Sequence, residues 1–359
     1  MKKLSIILGI VMATAISGCT EADFSENYAN PSKVSTATVE KQFAGMLVTN
    51  KDYVLPAYWN YFVVLRPTLS HYTQAVGWIN TSNQYVPGEA AIGPRWGNYY
   101  DFLAQYRELE KIYNNLTPEE QADLKVYMLT AKIYLYDHTQ RVVDLHGDIP
   151  FSEAGRLSQN GGDYLASLPA YDTAESIYTT MLDDLKSFSD ELNSINVSTG
   201  IMVGFQTQDF VNGGDVSAWK KYCNSLRLRM LTRVSGSSEF QSRAQAEIAA
   251  ILANPGQYPL VEANAENIQI DVVSLDTPIN SKGFRSGLED WDGNLAGKAM
   301  IDHMLDNTDP RIRAMYEPGE NAGGTYSGLD PLLDENDQTT LVATGTLSRY
   351  NRSTLSRNE

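Results

Sequence analysis

The 359-residue chain has only two cysteines, Cys19 and Cys223, so it carries no disulfide framework and must draw its stability from a packed core. It also lacks any apolar run of the roughly 20 residues needed to cross a bilayer as a helix. Basic residues are few against acidic ones, 28 Lys and Arg to 44 Asp and Glu, for a net charge of −16. That balance excludes a nucleic-acid partner, because phosphate contacts come from Lys and Arg. It also opposes adsorption to an anionic membrane surface, and it suits solubility and a neutral or cationic ligand. There are four histidines, His71, His138, His146 and His303, far apart and none in an H-E-x-x-H arrangement. Aromatic residues, by contrast, are plentiful, with 21 Tyr and 5 Trp.

Lys2 and Lys3 precede an uncharged, mostly apolar stretch from Leu4 to Ile16, which ends at Ile16-Ser17-Gly18-Cys19. A positive start, a short apolar run and small residues directly before a cysteine form a lipobox. Residues 1–18 are therefore expected to be a lipoprotein signal peptide, with Cys19 lipidated, palmitate included, as the first mature residue. Removing two lysines and no acid takes the net charge from −16 to −18. Residues 19–32 are polar and acidic (Glu21, Asp23, Glu26) and read as a flexible tether. Acyl chains on one cysteine hold a soluble body to a membrane without a spanning helix.

From Lys33 onward helical periodicity dominates. Helices are expected at Lys33–Thr49 and Tyr53–Leu69, the second carrying Trp59 as a core residue. Ser70–Pro94 is rich in Gly, Asn, Ser, Thr and Gln without sustained period, and long loops of that kind are usually functional or disordered. Trp96–Leu116 returns to helix. Thr117-Pro118-Glu119-Glu120 then makes a capping box for a long helix that stops at Gly147. Asp172 with Glu175 opens the next helix, Ser217–Val234 another, and Ser238 with Gln241 a further one to Leu252. After Pro259 the chain turns to short β-like stretches such as Ile268–Val273 and to Gly, Asp and Asn turns, with helix expected only at Gly297–Leu305. The fold class is mainly α: a tetratricopeptide-like helical-pair scaffold, residues 33–359, with a loop-rich portion at 260–359.

Tyr134-Leu135-Tyr136 running into Leu145-His146-Gly147-Asp148-Ile149-Pro150-Phe151 resembles a helix and turn of the SusD/RagB outer-membrane lipoproteins. Trp219-Lys220-Lys221-Tyr222 followed by Asn224-Ser225-Leu226-Arg227-Leu228-Arg229-Met230 is similar to another helix of that group, and Asn30–Val34 and Tyr171–Leu185 agree as well. Residues 260–359 match loosely, and the family's last helices, C-terminal to this point, are not present in the sequence. The resemblance implies four tetratricopeptide-like helix pairs and a loop-rich ligand-binding face that captures glycans outside the cell. It implies a partner too, a SusC-like TonB-dependent β-barrel transporter at the outer membrane, and no catalysis. Peptide uptake is the alternative within the family, and a lipid-anchored glycoside hydrolase is a more distant one.

Sugar capture uses flat aromatic faces against pyranose C–H groups, with Asn, Asp, Gln or Arg at the rim. The Ser70–Pro94 loop supplies Tyr72, Trp78, Asn80, Asn83, Gln84 and Tyr85, with Arg95 following, and of these Trp78 is the first candidate. Trp291 with Asp292 sits on a polar turn where burial would strand carboxylates, and Tyr316 is a weaker candidate. Trp96 and Trp219 fall in helical apolar stripes and are assigned to the core, as are His138 and an inert Cys223. No metal or cofactor is expected. Asp290, Asp292 and Asn294 start like a calcium loop, but Ile301 stands at the twelfth position, and either this group or Asp330, Asp334, Glu335 and Asp337 could at most hold a surface Ca2+. Ser327 does not sit as a nucleophile elbow requires, Gly293–Lys298 falls short of a P-loop, and Glu289 with Asp292 is one carboxylate pair among many.

Overall fold

A computed structural model describes residues 37–351 apart from 56, 60, 62–64, 66–68, 71, 81–88, 271, 273–278 and 290–293. Signal peptide 1–18, Cys19 and the tether 19–32 lie outside the described residues. The body is one compact unit beginning at Val39.

Its scaffold is a chain of packed helices. α1 (Val39–Thr49) buries Phe43, Met46 and Leu47 and packs on α3 (Glu89–Asn114). α2 is a single turn (Lys51–Val54). Helix α3 begins earlier than the aromatic periodicity from Trp96 predicts and runs through Pro94. α4 (Pro118–His146) follows after a three-residue link, which makes α3 and α4 a helical hairpin. The predicted capping box is present: Thr117 Oγ1 accepts from Glu120 N at 3.3 Å, and Thr117 N donates to the Glu120 carboxylate at 2.9 Å. The helix ends at Gly147, whose φ of 75° and ψ of −125° suit a residue without Cβ.

α5 (Ala174–Ser194) packs on α4 and on α7 (Val216–Val234), which in turn pairs with α8 (Gln241–Ala253). The N-cap of α5 is Thr173, which accepts from Ser176 N, and not Asp172. Asp172 instead fastens the turn after α4, taking Phe151 N, Ser152 N and the Ser152 hydroxyl on its carboxylate. α8 starts at Gln241 with no side-chain cap, so the Ser238 capping box does not form. α6 (Thr199–Gln208), which periodicity did not reveal, covers α1 and α4 with Phe205 buried. Asp209 closes it by accepting from Val211 N, Gly214 N and, at 2.6 Å, Trp219 Nε1.

The region after Pro259 holds more order than its turns suggest. It contains α9 (Lys282–Glu289), α10 (Lys298–Asp306), α11 (Ile312–Met315) and α12 (Glu335–Ala343). Ile268–Ile270 is not a strand; the rest of that expectation falls partly on residues outside the described set. A small antiparallel sheet forms instead from β1 (Val76–Gly77), β2 (Leu295–Ala296), β3 (Tyr316–Glu317) and β4 (Arg349–Tyr350), in the order β1-β2-β4-β3. Its register pairs Val76 with Ala296 and Gly77 with Leu295. At this crossing a Cβ on Gly77 would lie 2.5 Å from Ala296 O, and one on Gly297 would lie 2.1 Å from Gln74 O, so only glycine fits at either place.

Candidate functional site

Two places are candidates for a functional site: the segment from Tyr58 to Asn80, and the polar interior of α4 beside it. The segment is tied to the C-terminal layer at Tyr61 and again from Ala75 to Asn80. The Tyr61 ring meets Phe284 edge-on at 5.1 Å, β1 pairs with β2, and the Tyr350 hydroxyl donates to Ala75 O. Asn80 Nδ2 donates to Pro331 O at 2.7 Å and Asn80 N to Gln338 Oε1 at 2.5 Å. Within these ties Trp59 is 54 % exposed and Tyr72 is 56 % exposed, while Trp78 is half-buried beside a small crevice at Gln74, Gly297 and Leu329.

These placements change several expectations. Trp59, assigned to the core by extending a helical period from Tyr53, stands on the surface: α2 ends at Val54, and the sequence has Pro56 in between, so the period does not carry across. Pro56 was the signal that could have shown it. Asn80 spends its side-chain amide on Pro331 O and acts as an anchor of the segment. Tyr316 is 1 % exposed, packed against Tyr350 at a ring separation of 4.9 Å, and presents no face to a ligand. Asn83, Tyr85, Trp291 and Asp292 lie outside the described residues. Trp219 is wholly buried, and Trp96 is half-buried against Tyr100 and His146. Asp334 caps α12 through Asp337 N and Asp330 accepts from Leu332 N. Among the described residues no group of three His, Cys, Asp or Glu side chains is placed to hold a metal ion.

α4 is buried on nearly all sides, and its centre is polar, with Asp137, His138, Thr139 and Gln140 all inside. Asp137 is the hub. Its carboxylate accepts from the Tyr53 hydroxyl and the Tyr222 hydroxyl, each at 2.5 Å, and from Arg229 Nη2 at 2.8 Å. Burial opposes its ionisation, but Arg229 and the two hydroxyls outweigh that, and its pKa falls below the ordinary carboxylate range. Burial, followed by the Asp137 charge, pushes both phenols upward, so they stay protonated as donors.

His138 is stacked on Tyr53 at 4.2 Å and on Phe102 at 5.8 Å, with Tyr99 edge-on at 5.3 Å. Its Nδ1 lies 2.8 Å from Asn50 Oδ1, an oxygen that can only accept, so Nδ1 carries the proton and Nε2 is left as an acceptor. Burial lowers its pKa to about 3, and the ring is neutral at physiological pH. The satisfied core histidine read from the apolar stripe is therefore present, but it also borders a cavity of about 430 Å³ between α2, α3, α4 and Leu65 and Leu69.

The family model for SusD-like proteins described as starch-binding and associating with the outer membrane matches residues 36–355. Among solved structures the chain is similar to a chitin-binding protein, with a TM-score of 0.65 and 23 % identity over 86 % of this chain and 64 % of that one. A chitin-binding SusD homolog from Flavobacterium johnsoniae gives 0.64 and 18 % over 89 % and 61 %. A SusD homolog from Bacteroides fragilis gives 0.60 and 18 % over 88 % and 62 %. At these identities the structural likeness establishes the helical fold, and the chain spans under two thirds of the length of each of these three relatives. No curated protein matches it.

Proposed function

The chain belongs to the SusD-like family of starch-binding proteins associating with the outer membrane, and from that premise we propose that it captures glycans at the cell exterior and passes them to a SusC-like TonB-dependent β-barrel transporter. The observation that carries this reading is the aromatic segment: Trp59 and Tyr72 stand exposed, and Trp78 follows on backbone pinned by β1 and Asn80. Large aromatic faces held in place against water cost apolar exposure that binding can recover, and pyranose C–H faces fit them. Pre-positioning the backbone lowers the ordering cost of binding.

The lipobox makes Cys19 the anchor in this reading, and the helical body, in which no described helix is long and apolar enough to cross a membrane, is held to the outer membrane by acyl chains. The role is binding and delivery without turnover. Affinity electrophoresis in gels containing soluble polysaccharides tests it: the protein should be retarded by at least one glycan, with retardation lost in Trp59→Ala or Trp78→Ala and kept in Trp96→Ala. Retardation unchanged by the first two substitutions, calorimetric binding of oligopeptides with no glycan binding, or release of new reducing ends would each refute it.

A further inference from the structure

The net charge of −16 conceals a local reversal. Among the described residues, the cavity beside His138 is lined by two arginines, Arg95 and Arg141, and by a single carboxylate, Asp52. Neither arginine forms an ion pair or a hydrogen bond with any described residue. The contrast with the other arginines of the helical scaffold is sharp: Arg107, Arg156, Arg227, Arg229, Arg233 and Arg243 are all paired with carboxylates. Arg141 is instead held over the face of Tyr53, its guanidinium carbon 4.7 Å from the ring centroid, which fixes its position without using its donors.

Between the two guanidinium groups the lining changes character. Asn98 offers an amide, and neutral His138 offers Nε2 as an acceptor because Nδ1 is committed to Asn50. Leu65, Leu69, Val142 and Leu145 provide apolar wall, with Leu69 and Leu145 exposed at 56 % and 57 %. The volume, about 430 Å³, lies within the roughly 300–1,000 Å³ of small-molecule sites. Two guanidinium groups with no ion pair among the described residues ask for an anion with planar oxygens; an amide and a lone-pair nitrogen ask for hydroxyls; the leucines ask for a C–H face.

We propose that this cavity binds an acidic sugar unit, its carboxylate between Arg95 and Arg141, its hydroxyls on Asn98 and His138 and its ring against the leucines. The site is separate from the aromatic segment and rests on the glycan-binding reading only for the choice of a sugar as the bearer of the carboxylate. It turns a general glycan binder into one that prefers uronate-containing chains, against the expectation of a neutral or cationic ligand drawn from the charge of the whole chain.

Isothermal titration of the purified protein with an oligogalacturonide, the matched neutral galacto-oligosaccharide and a glutamate-rich tripeptide tests it. Arg141 is exposed and Arg95 half-buried, so Arg95→Gln and Arg141→Gln should fold, which circular dichroism and the unfolding midpoint will verify. The oligogalacturonide should bind, each substitution should weaken it by roughly tenfold or more, and raised salt should weaken it further. Galacturonate binding weakened by the arginine substitutions in a protein that no polysaccharide gel retards would strike at the aromatic reading alone, whereas retardation without any galacturonate binding would overturn the proposal. Equal affinity for the neutral oligosaccharide, preference for the tripeptide, or indifference to both arginine substitutions would overturn the proposal.

Discussion

His138 makes a quantitative claim about stability and pH. Burial holds its folded pKa near 3 against an ordinary value of 6.5, so between those values the unfolded chain takes up a proton that the folded chain refuses. The unfolded state then binds more protons, and stability must rise with pH across that window and be lost as pH falls through it. At pH 5 the unfolded imidazole is about 97 % protonated and the folded one about 1 %, which is worth about 2 kcal/mol at this single group relative to pH 8. Urea unfolding at pH 8 and pH 5, followed by circular dichroism, measures the loss. The Asp137 carboxylate, whose pKa is also lowered, acts in the same direction but in a lower window: its contribution is present above the unfolded carboxylate value and lost only below about pH 4, outside the interval compared. His146 is lowered as well, by burial and then by Arg95, so the wild-type slope contains more than one histidine. His138→Gln isolates the first: it should be less stable than wild type at pH 8 and lose about 2 kcal/mol less on going to pH 5. An identical pH slope in both proteins would refute the neutral, buried state assigned to His138.

Asp137→Ala removes the acceptor of Tyr53, Tyr222 and Arg229 at once and should cost roughly 2–4 kcal/mol, read as a lower urea midpoint. Thr117→Ala breaks the capping box and should cost about 1 kcal/mol, with affinity for any ligand untouched. Gly297→Ala places a Cβ against Gln74 O and should lower the melting temperature while releasing β1, visible as faster hydrogen exchange at Val76 and Gly77. Cys223 is fully buried with its thiol pushed upward by burial, so in a Cys19→Ser background it should resist alkylation until the protein is unfolded; rapid labelling of the native state would contradict its placement.

The helical scaffold was legible because its signals are local. The Thr117–Glu120 capping box and the apolar stripe that follows it lie within one stretch of chain, and α4 runs from Pro118 to His146 as they imply. Where an end is set by distant residues the reading slipped: Asp172 looks like a cap, but Phe151 and Ser152 claim it across the turn, and Thr173 caps α5 instead. The sheet was illegible because its strands are two residues long, so no alternation exists to be read, and β1 meets β2 only across more than 200 positions. In the candidate site, Trp78, whose polar neighbours argue for exposure, is half-buried beside β1, and Tyr316 is sealed by Tyr350, a partner that sequence spacing cannot supply. Arg95 was marked by its place directly after the aromatic loop, but Arg141 was missed: nothing local distinguishes it from arginines whose carboxylates arrive from another helix.

The ties on the aromatic segment also order events in time. Ala75 meets Tyr350 across 275 positions and Asn80 meets Gln338 across 258, so the segment that emerges early from the ribosome finds its partners only when almost all of the following chain is available. Contacts of such separation form late in folding, since loop closure must precede any gain from them. The helices can assemble from neighbours first; the segment bearing Trp59, Tyr72 and Trp78 then waits in an unanchored state. A chain interrupted before residue 338 would keep its helical spectrum and lose the Gln338 and Tyr350 ties on its aromatic segment.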